Sequence, residues 1–312
     1  MMSICPITLQ PTSSGQSNSE QGLKQVHPKL TDLAPLEYSN AEQLRQARLR
    51  SDKMSIQGVQ PKLSAVLRLN QQRFELVDRG GRFILKPNPP QFQEVPANEA
   101  LTMTMARIAG IDVPTHGLVP AIDGSWVYFV KRFDRAGRTK RIHVEDFAQL
   151  SQSTRETKYD SSLERVVQLV EEYCTFPAIE KLKLARRLLF CFMTGNEDMH
   201  LKNFSVWLRN GVVSLTPAYD LLNTTVVLEN ATEESALPLQ GKKKNLSRRL
   251  WLNYLCEERL GLKTRQIERL NHELQEAVPT CRQLTERSFL SDQKKAEYLD
   301  ILNARSRRLE FA

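Results

Sequence analysis

Hydrophobic and polar positions alternate along much of the segment from residue 61 to about 130, a pattern typical of β-strands with one buried face. It predicts strands at Leu63–Leu69, Arg73–Val77, Arg82–Lys86, Leu118–Ala121 and Trp126–Val130. The last two flank Asp123-Gly124, a strong hairpin signal. Between the third and fourth strands we expect a helix that Asn98 caps at its start and that Gly110 ends.

Beyond Phe133 the hydrophobic period becomes that of helices. Helices are predicted at Leu163–Tyr173, Ile179–Thr194, Ser247–Leu260, Gln266–Ala277 and from about Asp292 to Arg307. One pair of strands interrupts them, Phe204–Leu208 and Val212–Leu215, joined by Asn210-Gly211, a favoured pair for a tight hairpin turn. The second half of the chain is therefore predicted to be mainly helical.

The order of these elements predicts two lobes. The chain has 312 residues, and single hydrophobic cores stop growing at about 250–300 residues. We expect an α+β, bilobal, protein-kinase-like fold, with a small β-rich lobe over 31–130 and a larger helical lobe over 131–312. Residues 1–30 are rich in Ser, Gln and Pro with little apolar periodicity, so a poorly ordered arm is predicted there. A ligand cleft is expected between the lobes.

Composition narrows the class of protein. Hydrophobic residues make up 40% and charged residues 26%, which excludes a collagen-like or wholly disordered chain. No apolar run approaches the roughly 18 residues that span a bilayer, and Met1–Pro6 lacks the features of a signal peptide. The five cysteines show neither zinc-ligand nor Cys-x-x-Cys spacing, so they are interpreted as buried thiols of a reducing cytoplasm.

The net charge of +8 and the isoelectric point of about 9.3 leave a nucleic acid or acidic partner possible. Part of the surplus lies in Lys242–Lys244 and Arg248-Arg249. A solvated face at a helix start is the favoured interpretation of this cluster. Direct, sequence-specific binding of nucleic acid is therefore not expected.

The densest polar cluster is Gly195–Asn203, on a short loop between a helix and a hairpin. Asp198 and Asn203 are five positions apart, the spacing at which kinase catalytic loops hold a base and a magnesium ligand. Lys202 can place a cation on the transferring phosphate, and Asp220, after the hairpin, can supply a second metal ligand. The alternative is that the loop aspartate only caps a turn.

The small lobe offers the rest of a nucleotide site. Lys86 ends a strand and Glu99 opens the following helix, the arrangement with which kinases grip α- and β-phosphates. The linker Val130–Arg135 can present backbone groups to an adenine and an acidic side chain to a ribose. An exposed strand-end lysine and an ordinary charged connector are the alternatives. His200 is interpreted as orienting the loop.

Four short motifs follow one another from about Met54 onward. They are Ser55-Ile56-x-Gly58-x-Gln60-x-Lys62, Arg132-Phe133-Asp134-Arg135, His200-x-Lys202-Asn203-Phe204-Ser205-Val206 and Leu215-Thr216-Pro217-x-Tyr219-Asp220. In this order they resemble the HipA family, bacterial serine/threonine protein-kinase toxins of toxin–antitoxin systems.

The resemblance implies a role for each matching residue. Asp198 is the expected catalytic base with Lys202 beside it, and Asn203 and Asp220 are the expected Mg²⁺ ligands. Ser55 aligns with a loop serine that the family autophosphorylates, which displaces the loop and switches activity off. The residues expected to bind ATP are Gly58, Lys86, Lys131, Phe133, Asp134 and His200.

Family substrates and partners are implied in the same way. The substrates are aminoacyl-tRNA synthetases, with tryptophanyl- and glutamyl-tRNA synthetase as the precedents. Because only 54 residues precede Ser55, the chain is similar to the short HipT-type toxins. These act with a small HipS-like protein and a HipB-like DNA-binding antitoxin. Lys131 stands where longer members have an acidic residue, so its contact with adenine is the least supported.

Two other functions remain open on the sequence. A small-molecule kinase of related fold would use the same loop chemistry on a hydroxylated metabolite. A kinase-like subunit without catalysis would use its basic surface in a DNA-bound repressor complex. The complete set of carboxylates with Lys86 favours an enzyme over the latter.

Overall fold

The computed structural model describes residues 3–13, 15–50, 60–137, 140–153, 157–228 and 232–311. A β-rich lobe with one long helix precedes a helical lobe, so the expected α+β architecture is confirmed. The strands are β1 Leu63–Arg68, β2 Arg73–Leu76, β3 Phe83–Lys86, β4 His116–Pro120, β5 Trp126–Lys131, β6 Arg135–Ala136, β7 Lys140–Arg141, β8 His143–Asp146, β9 Ser205–Arg209 and β10 Val212–Leu215.

Most of the helices lie after the linker, in the helical lobe. They are α1 Glu20–Val26, α2 Asn40–Arg50, α3 Val95–Ile108, α4 Phe147–Leu150, α5 Leu163–Tyr173, α6 Pro177–Met193, α7 Thr224–Val227, α8 Thr264–Arg287 and α9 Asp292–Arg308. A short 3₁₀ helix spans Leu201–Asn203, and a π-helix spans Leu250–Arg259. Helix α8 runs past the end predicted from periodicity and contains Pro279. Of the helices in the described ranges, none is both long and apolar enough to cross a membrane.

The first sheet has the strand order β2-β1-β3-β5-β4, with every neighbouring pair antiparallel. Alternation along β5 shows how it is buried on both faces. Val127 and Phe129 belong to one hydrophobic cluster, while Tyr128 and Val130 belong to the other. Successive side chains of a strand point to opposite faces, so this single strand joins two cores. Helix α3 covers one of these faces and the N-terminal segment covers the other.

The N-terminal segment differs from its prediction. Its described residues are packed and do not form a poorly ordered arm: Ile7, Leu23 and Leu30 are at most 5% exposed and belong to the sheet core. The backbone N–H of Leu118 on β4 donates to the carbonyl of Pro6 at 3.0 Å. The few apolar residues here show no helical or strand period, and only the sheet reveals their common face.

Helix α3 also begins earlier than its sequence predicts. It starts at Val95 with Pro96 in the first turn, where the missing N–H of proline costs nothing. Asn98 therefore lies inside the helix and is not its cap. Its side chain is 2% exposed and bonds to the helical lobe instead.

A second sheet, β8-β9-β10, carries the hairpin that the sequence predicts. Asn210 and Gly211 both have positive φ, as the predicted tight turn requires. Strand β8 was not predicted; it pairs with β9 and brings Asp146 beside Ser205. The hairpin thus rests on the segment that follows the linker between the lobes.

All five cysteines are free and buried in the described structure, as the sequence predicts.

The packing of the N-terminal segment can be tested with two matched substitutions. Ile7 is 1% exposed and Ile122 is 70% exposed. Ile7→Ala is expected to lower the free energy of unfolding by roughly 2–5 kcal/mol, because it leaves a cavity in the sheet core. Ile122→Ala should change it by less than about 0.5 kcal/mol. Chemical denaturation measures both, and equal small effects would show that the segment is not part of the core.

Candidate active site

The polar loop 195–203 follows α6 directly and is held by the segment after Asp220. Gly195 has φ +70°, and a Cβ there would come within 2.7 Å of Asn223 Oδ1. The Thr225 hydroxyl oxygen lies 3.0 Å from the carbonyl oxygen of Gly195. Glycine is therefore required both by the left-handed backbone and by the close approach of Asn223.

Asp198 stands half-buried in this loop. The hydroxyl of Tyr159 donates to its Oδ1 at 2.6 Å, and its carbonyl accepts from the backbone N–H of His200 at 2.9 Å. Oδ1 of the carboxylate thus already accepts from a hydroxyl group of the chain itself. This position suits a general base, which must lie within hydrogen-bond reach of the proton it removes.

Glu197, the neighbour of Asp198, anchors the loop from behind. It accepts from Arg305 Nη2 of α9 at 2.9 Å, and both side chains are less than 10% exposed. The Thr225 hydroxyl donates to the same carboxylate oxygen at 2.8 Å. Burial is the largest influence on the pKa of Glu197 and raises it above its usual range. Such a buried pair fixes geometry, because loss of either partner leaves an uncompensated charge.

Lys86 at the end of β3 lies between two carboxylates. Its Nζ donates to Glu99 Oε1 of α3 at 2.6 Å, with both side chains at most 3% exposed, and it also forms an ion pair with Asp220. Burial opposes the charge of Lys86, but Asp220 and Glu99 outweigh it and raise its pKa. Burial raises the pKa of Glu99 to about 7 against the pull of Lys86. The predicted strand–helix ion pair is present.

Asp220 joins the two lobes through a second lysine as well. Lys62, just before β1, lies 3.7 Å from Asp220 Oδ2. Burial opposes ionisation of Asp220, but Lys62 and then Lys86 lower its pKa far below the usual value. Its backbone has φ 54°, an uncommon conformation for a residue other than glycine. The contacts with Lys62 and Lys86 therefore hold the Asp220 side chain in place despite the strained backbone at this residue.

Asn98 couples α3 to the Asp220 segment. Its amide Nδ2 donates to the carbonyl of Asn223 at 3.0 Å, and its Oδ1 accepts from the backbone N–H of Asn223 at 2.8 Å. Asn98 adjoins Glu99 in the chain, and Asn223 follows closely after Asp220. The two carboxylates that flank Lys86 are consequently held in register by one amide.

His200 lies within the electrostatic fields of the Asp198 and Asp220 carboxylates. Burial and Lys158 lower its pKa, whereas Asp198 and Asp220 act in the opposite direction. Lys158 Nζ donates to His200 Nε2 at 2.6 Å, so the ring proton of the neutral imidazole belongs on Nδ1. Among the residues that the structure describes, the buried Nδ1 has no hydrogen-bond partner. It is a donor suited to an anionic ligand.

The linker between the lobes borders a cavity of about 560 Å³. Asp134 lines it and is held by Arg132 at 2.7 Å and by Arg135. Burial works against ionisation of Asp134, but both arginines outweigh it and lower its pKa. Tyr219, which precedes Asp220 in the chain, and Ser205, two residues after Asn203, also line the cavity. Most of the other lining residues belong to the segment 141–149, so the cavity lies between the linker and the strands that follow it.

Aromatic contacts fix the linker against the hairpin. The Phe133 ring lies 5.7 Å from that of Tyr219 and 5.9 Å from that of Trp207, measured between centroids. Lys131 ends β5, and its N–H donates to the carbonyl of Thr115 at 2.8 Å. Asp134 thus lines the cavity, with Phe133 before it in the chain, while Lys131 belongs to β5, between β3 and β4 in the sheet.

Lys202 and Asn203 occupy the 3₁₀ turn between Asp198 and β9. The Tyr219 hydroxyl donates to the carbonyl of Lys202 at 2.9 Å and so ties this turn to the Asp220 segment. Within the described part of the chain, no group of three or more His, Cys, Asp or Glu side chains gathers into a metal site. An asparagine and an aspartate such as Asn203 and Asp220 have the donor types for a magnesium ion that also binds phosphates, because Mg²⁺ takes one or two carboxylates and otherwise water or substrate oxygens.

Two candidate residues, Ser55 and Gly58, lie outside the described residues. Conversely, the structure adds residues that sequence reasoning did not assign to the site, namely Lys62, Asn98, Tyr159, Glu197 and Arg305. Lys62 ends the motif that begins at Ser55, so the sequence did contain a signal for it. The others act through contacts between residues far apart in the chain.

A family model described as HipA-like C-terminal domain matches residues 54–281. A candidate kinase of Haemophilus influenzae is 27% identical over 261 residues, 78% of this chain and 75% of the relative. A candidate kinase of Sinorhizobium fredii is 35% identical over 240 residues, 72% of this chain and 57% of the relative. The serine/threonine-protein kinase toxin HipA of Shewanella oneidensis is 27% identical over 192 residues, 55% of this chain and 43% of the relative. The chain thus spans about half the length of the last two relatives.

Solved structures support the same fold. HipA of Shewanella oneidensis, in a complex with HipB and operator DNA, superposes with a TM-score of 0.66 at 23% identity, over 83% of this chain and 66% of that one. The proinflammatory kinase CtkA of Helicobacter pylori superposes with a TM-score of 0.58 at 15% identity, over 83% of this chain and 93% of that one. These neighbours confirm the bilobal kinase-like fold, and kinase relatives imply the use of ATP. From the match over residues 54–281, the chain belongs to the family of HipA-like C-terminal domains.

Proposed function

We propose that the chain is an ATP- and Mg²⁺-dependent protein kinase that transfers phosphate to serine or threonine. The observation that carries this is the buried Lys86, paired with Glu99 and Asp220, beside a loop that presents Asp198. A metabolite kinase would use the same groups, but the named HipA toxin relative favours a protein acceptor.

The residues divide the reaction among them. Lys86 binds the α- and β-phosphates while Glu99 holds its ammonium group in place. Asn203 and Asp220 would hold Mg²⁺, which when bound neutralises charge on the phosphate oxygens. Asp198 accepts the proton of the attacking hydroxyl, and Lys202 stabilises the phosphoryl group that is transferred.

The nucleotide base and sugar are assigned to the linker. Asp134 accepts hydrogen bonds from the ribose, with Phe133 and the backbone at Lys131 beside the adenine. His200 Nδ1 donates to a phosphate oxygen. Support comes from the cavity that Asp134 and Tyr219 both line, since Tyr219 directly precedes Asp220 in the chain.

The protein acceptor is proposed to be an aminoacyl-tRNA synthetase, with the tryptophanyl and glutamyl enzymes first in line. Phosphorylation of a serine near its ATP site would block charging of tRNA and hence translation. The chain would then be the growth-inhibiting toxin of a toxin–antitoxin system, acting in the cytoplasm. This rests on the sequence resemblance and on the name of one relative.

Partner proteins complete the proposal. A HipB-like DNA-binding antitoxin has support from the solved neighbour, whose complex contains HipB and operator DNA. A small HipS-like protein, expected for a HipT-type toxin, rests on the sequence resemblance alone. Ser55 is proposed as the autophosphorylated residue that switches the kinase off, since a phosphate group there cannot share the pocket with those of ATP.

Asp198→Asn should fold normally and lose phosphate transfer, because an amide cannot accept the proton of the acceptor. The loss is measured as transfer of phosphate from radiolabelled ATP to the kinase itself and to purified synthetases. We expect a fall of about 100-fold or more, the usual contribution of a general base. Asp292→Asn is the matched control, because Asp292 is fully exposed on α9. Full activity of Asp198→Asn would remove the base assignment.

Asn98→Ala should separate the catalytic effect of the interlobe link from its contribution to stability. It leaves the buried N–H and carbonyl of Asn223 unpaired, at a cost of roughly 1–3 kcal/mol in unfolding free energy. Because Glu99 and Asp220 then lose their common register, kcat should fall by about 10- to 100-fold. Asn253→Ala, on an exposed position of the π-helix, should change neither quantity. Unchanged kcat in folded Asn98→Ala would show that the link is only structural.

Ser55 is tested by mass spectrometry after incubation of the protein with Mg-ATP. Phosphate is expected on Ser55, together with a fall in the rate of synthetase phosphorylation as the modification accumulates. Ser55→Ala should keep its initial rate throughout. A wild-type rate that falls equally in Ser55→Ala would contradict the switch.

A further inference from the structure

Tyr159 forms the contact with Asp198 that the proposed mechanism leaves unexplained. Its hydroxyl donates to Asp198 Oδ1 at 2.6 Å, from the segment 157–162 that precedes α5. The side chain is 39% exposed, so this contact is not part of the apolar core. A donor at this distance occupies the place where an acceptor hydroxyl meets its general base.

The ring of Tyr159 is held in this place by its neighbours. It meets the His200 ring edge-on at a centroid distance of 5.1 Å, and Lys158 Nζ lies 4.7 Å from its centroid. Lys158 Nζ also donates to His200 Nε2 at 2.6 Å. Tyr159 is therefore seated against the same histidine that offers Nδ1 to a ligand, and its hydroxyl is directed at the base.

The Tyr159 hydroxyl is protonated, so it needs a base such as Asp198 in order to accept a phosphate group. Burial, then the hydrogen bond and charge of Asp198, raise the pKa of Tyr159 well above its usual value. The hydroxyl is thus a donor at neutral pH, and its proton can leave only to a nearby acceptor. Asp198 Oδ1 is that acceptor.

We propose that Tyr159 is a self-acceptor, a tyrosine that the kinase phosphorylates within its own chain; this rests on the proposed function. The Tyr159 oxygen forms a bond to the γ-phosphorus of ATP while the bond from that phosphorus to the β–γ bridging oxygen breaks. The hydroxyl proton passes to Asp198, and ADP leaves. The product is phosphotyrosine at position 159.

Phosphorylation would also change access to the base. A phosphate group carries about −1.5 to −2 charges at neutral pH and is repelled by the Asp198 carboxylate. The modified side chain therefore leaves the position that it holds before reaction. Asp198 then becomes free for the hydroxyl of a protein acceptor.

The test is phosphopeptide mapping of the full chain after incubation with Mg-ATP. Trypsin releases residues 159–165, which contain Tyr159 together with Ser161 and Ser162, so fragment ions must assign the phosphate. We expect phosphotyrosine on Tyr159, with a rate constant independent of protein concentration, as reaction within one chain requires. Asp198→Asn should lose it, and Tyr159→Phe should give no phosphotyrosine.

A matched tyrosine controls for chance modification. Tyr254 also donates to a carboxylate, Glu164 Oε1 at 3.1 Å, but lies on the π-helix away from the loop. Tyr254→Phe should leave the phosphotyrosine signal at the wild-type level. Phosphate on serine or threonine alone would overturn the inference and leave the kinase proposal intact. No phosphate on this chain or on any protein acceptor would overturn both.

Discussion

One buried ammonium group sets the arrangement of the whole site. Lys86 is 3% exposed, and a lone charge at that depth would be too costly to keep. It is tolerated because Glu99 from α3 and Asp220 from the helical lobe both face it. The sheet, the long helix and the segment after the second hairpin must therefore come together at one point. Any motion that separates them leaves a charge without compensation.

Two further buried contacts link the segments that surround Lys86. Asn98 binds the backbone of Asn223, and Glu197 binds Arg305 of α9, each with little exposure to solvent. Each pair includes a residue directly beside a site carboxylate in the chain, Asn98 beside Glu99 and Glu197 beside Asp198. The final helices, although far from the cavity in sequence, thus help to determine where Asp198 lies. The same contacts therefore stabilise the fold and position the candidate base.

The local parts of this site were predictable, because they depend on short spacing. The strand that ends in Lys86, the interval from Asp198 to Asn203 and the turn at Asn210 all follow from neighbouring residues. Asn98 was misjudged because an asparagine near a helix start is commonly a cap, and only the fold shows that Pro96 moves the start earlier. Tyr159 gave no signal, since its partner is 39 positions away. The packed N-terminal segment was missed because its apolar residues lack a period.

The hydrogen bond from Leu118 to Pro6 has a consequence for the solution behaviour of the protein. Strand β4 is an outer strand of its sheet, and open strand edges recruit further strands from other molecules. The N-terminal segment lies along this edge and occupies one of its backbone donors. It therefore covers part of an edge that could otherwise pair with strands of other molecules. The same segment thus contributes both to the folding of the small lobe and to its solubility.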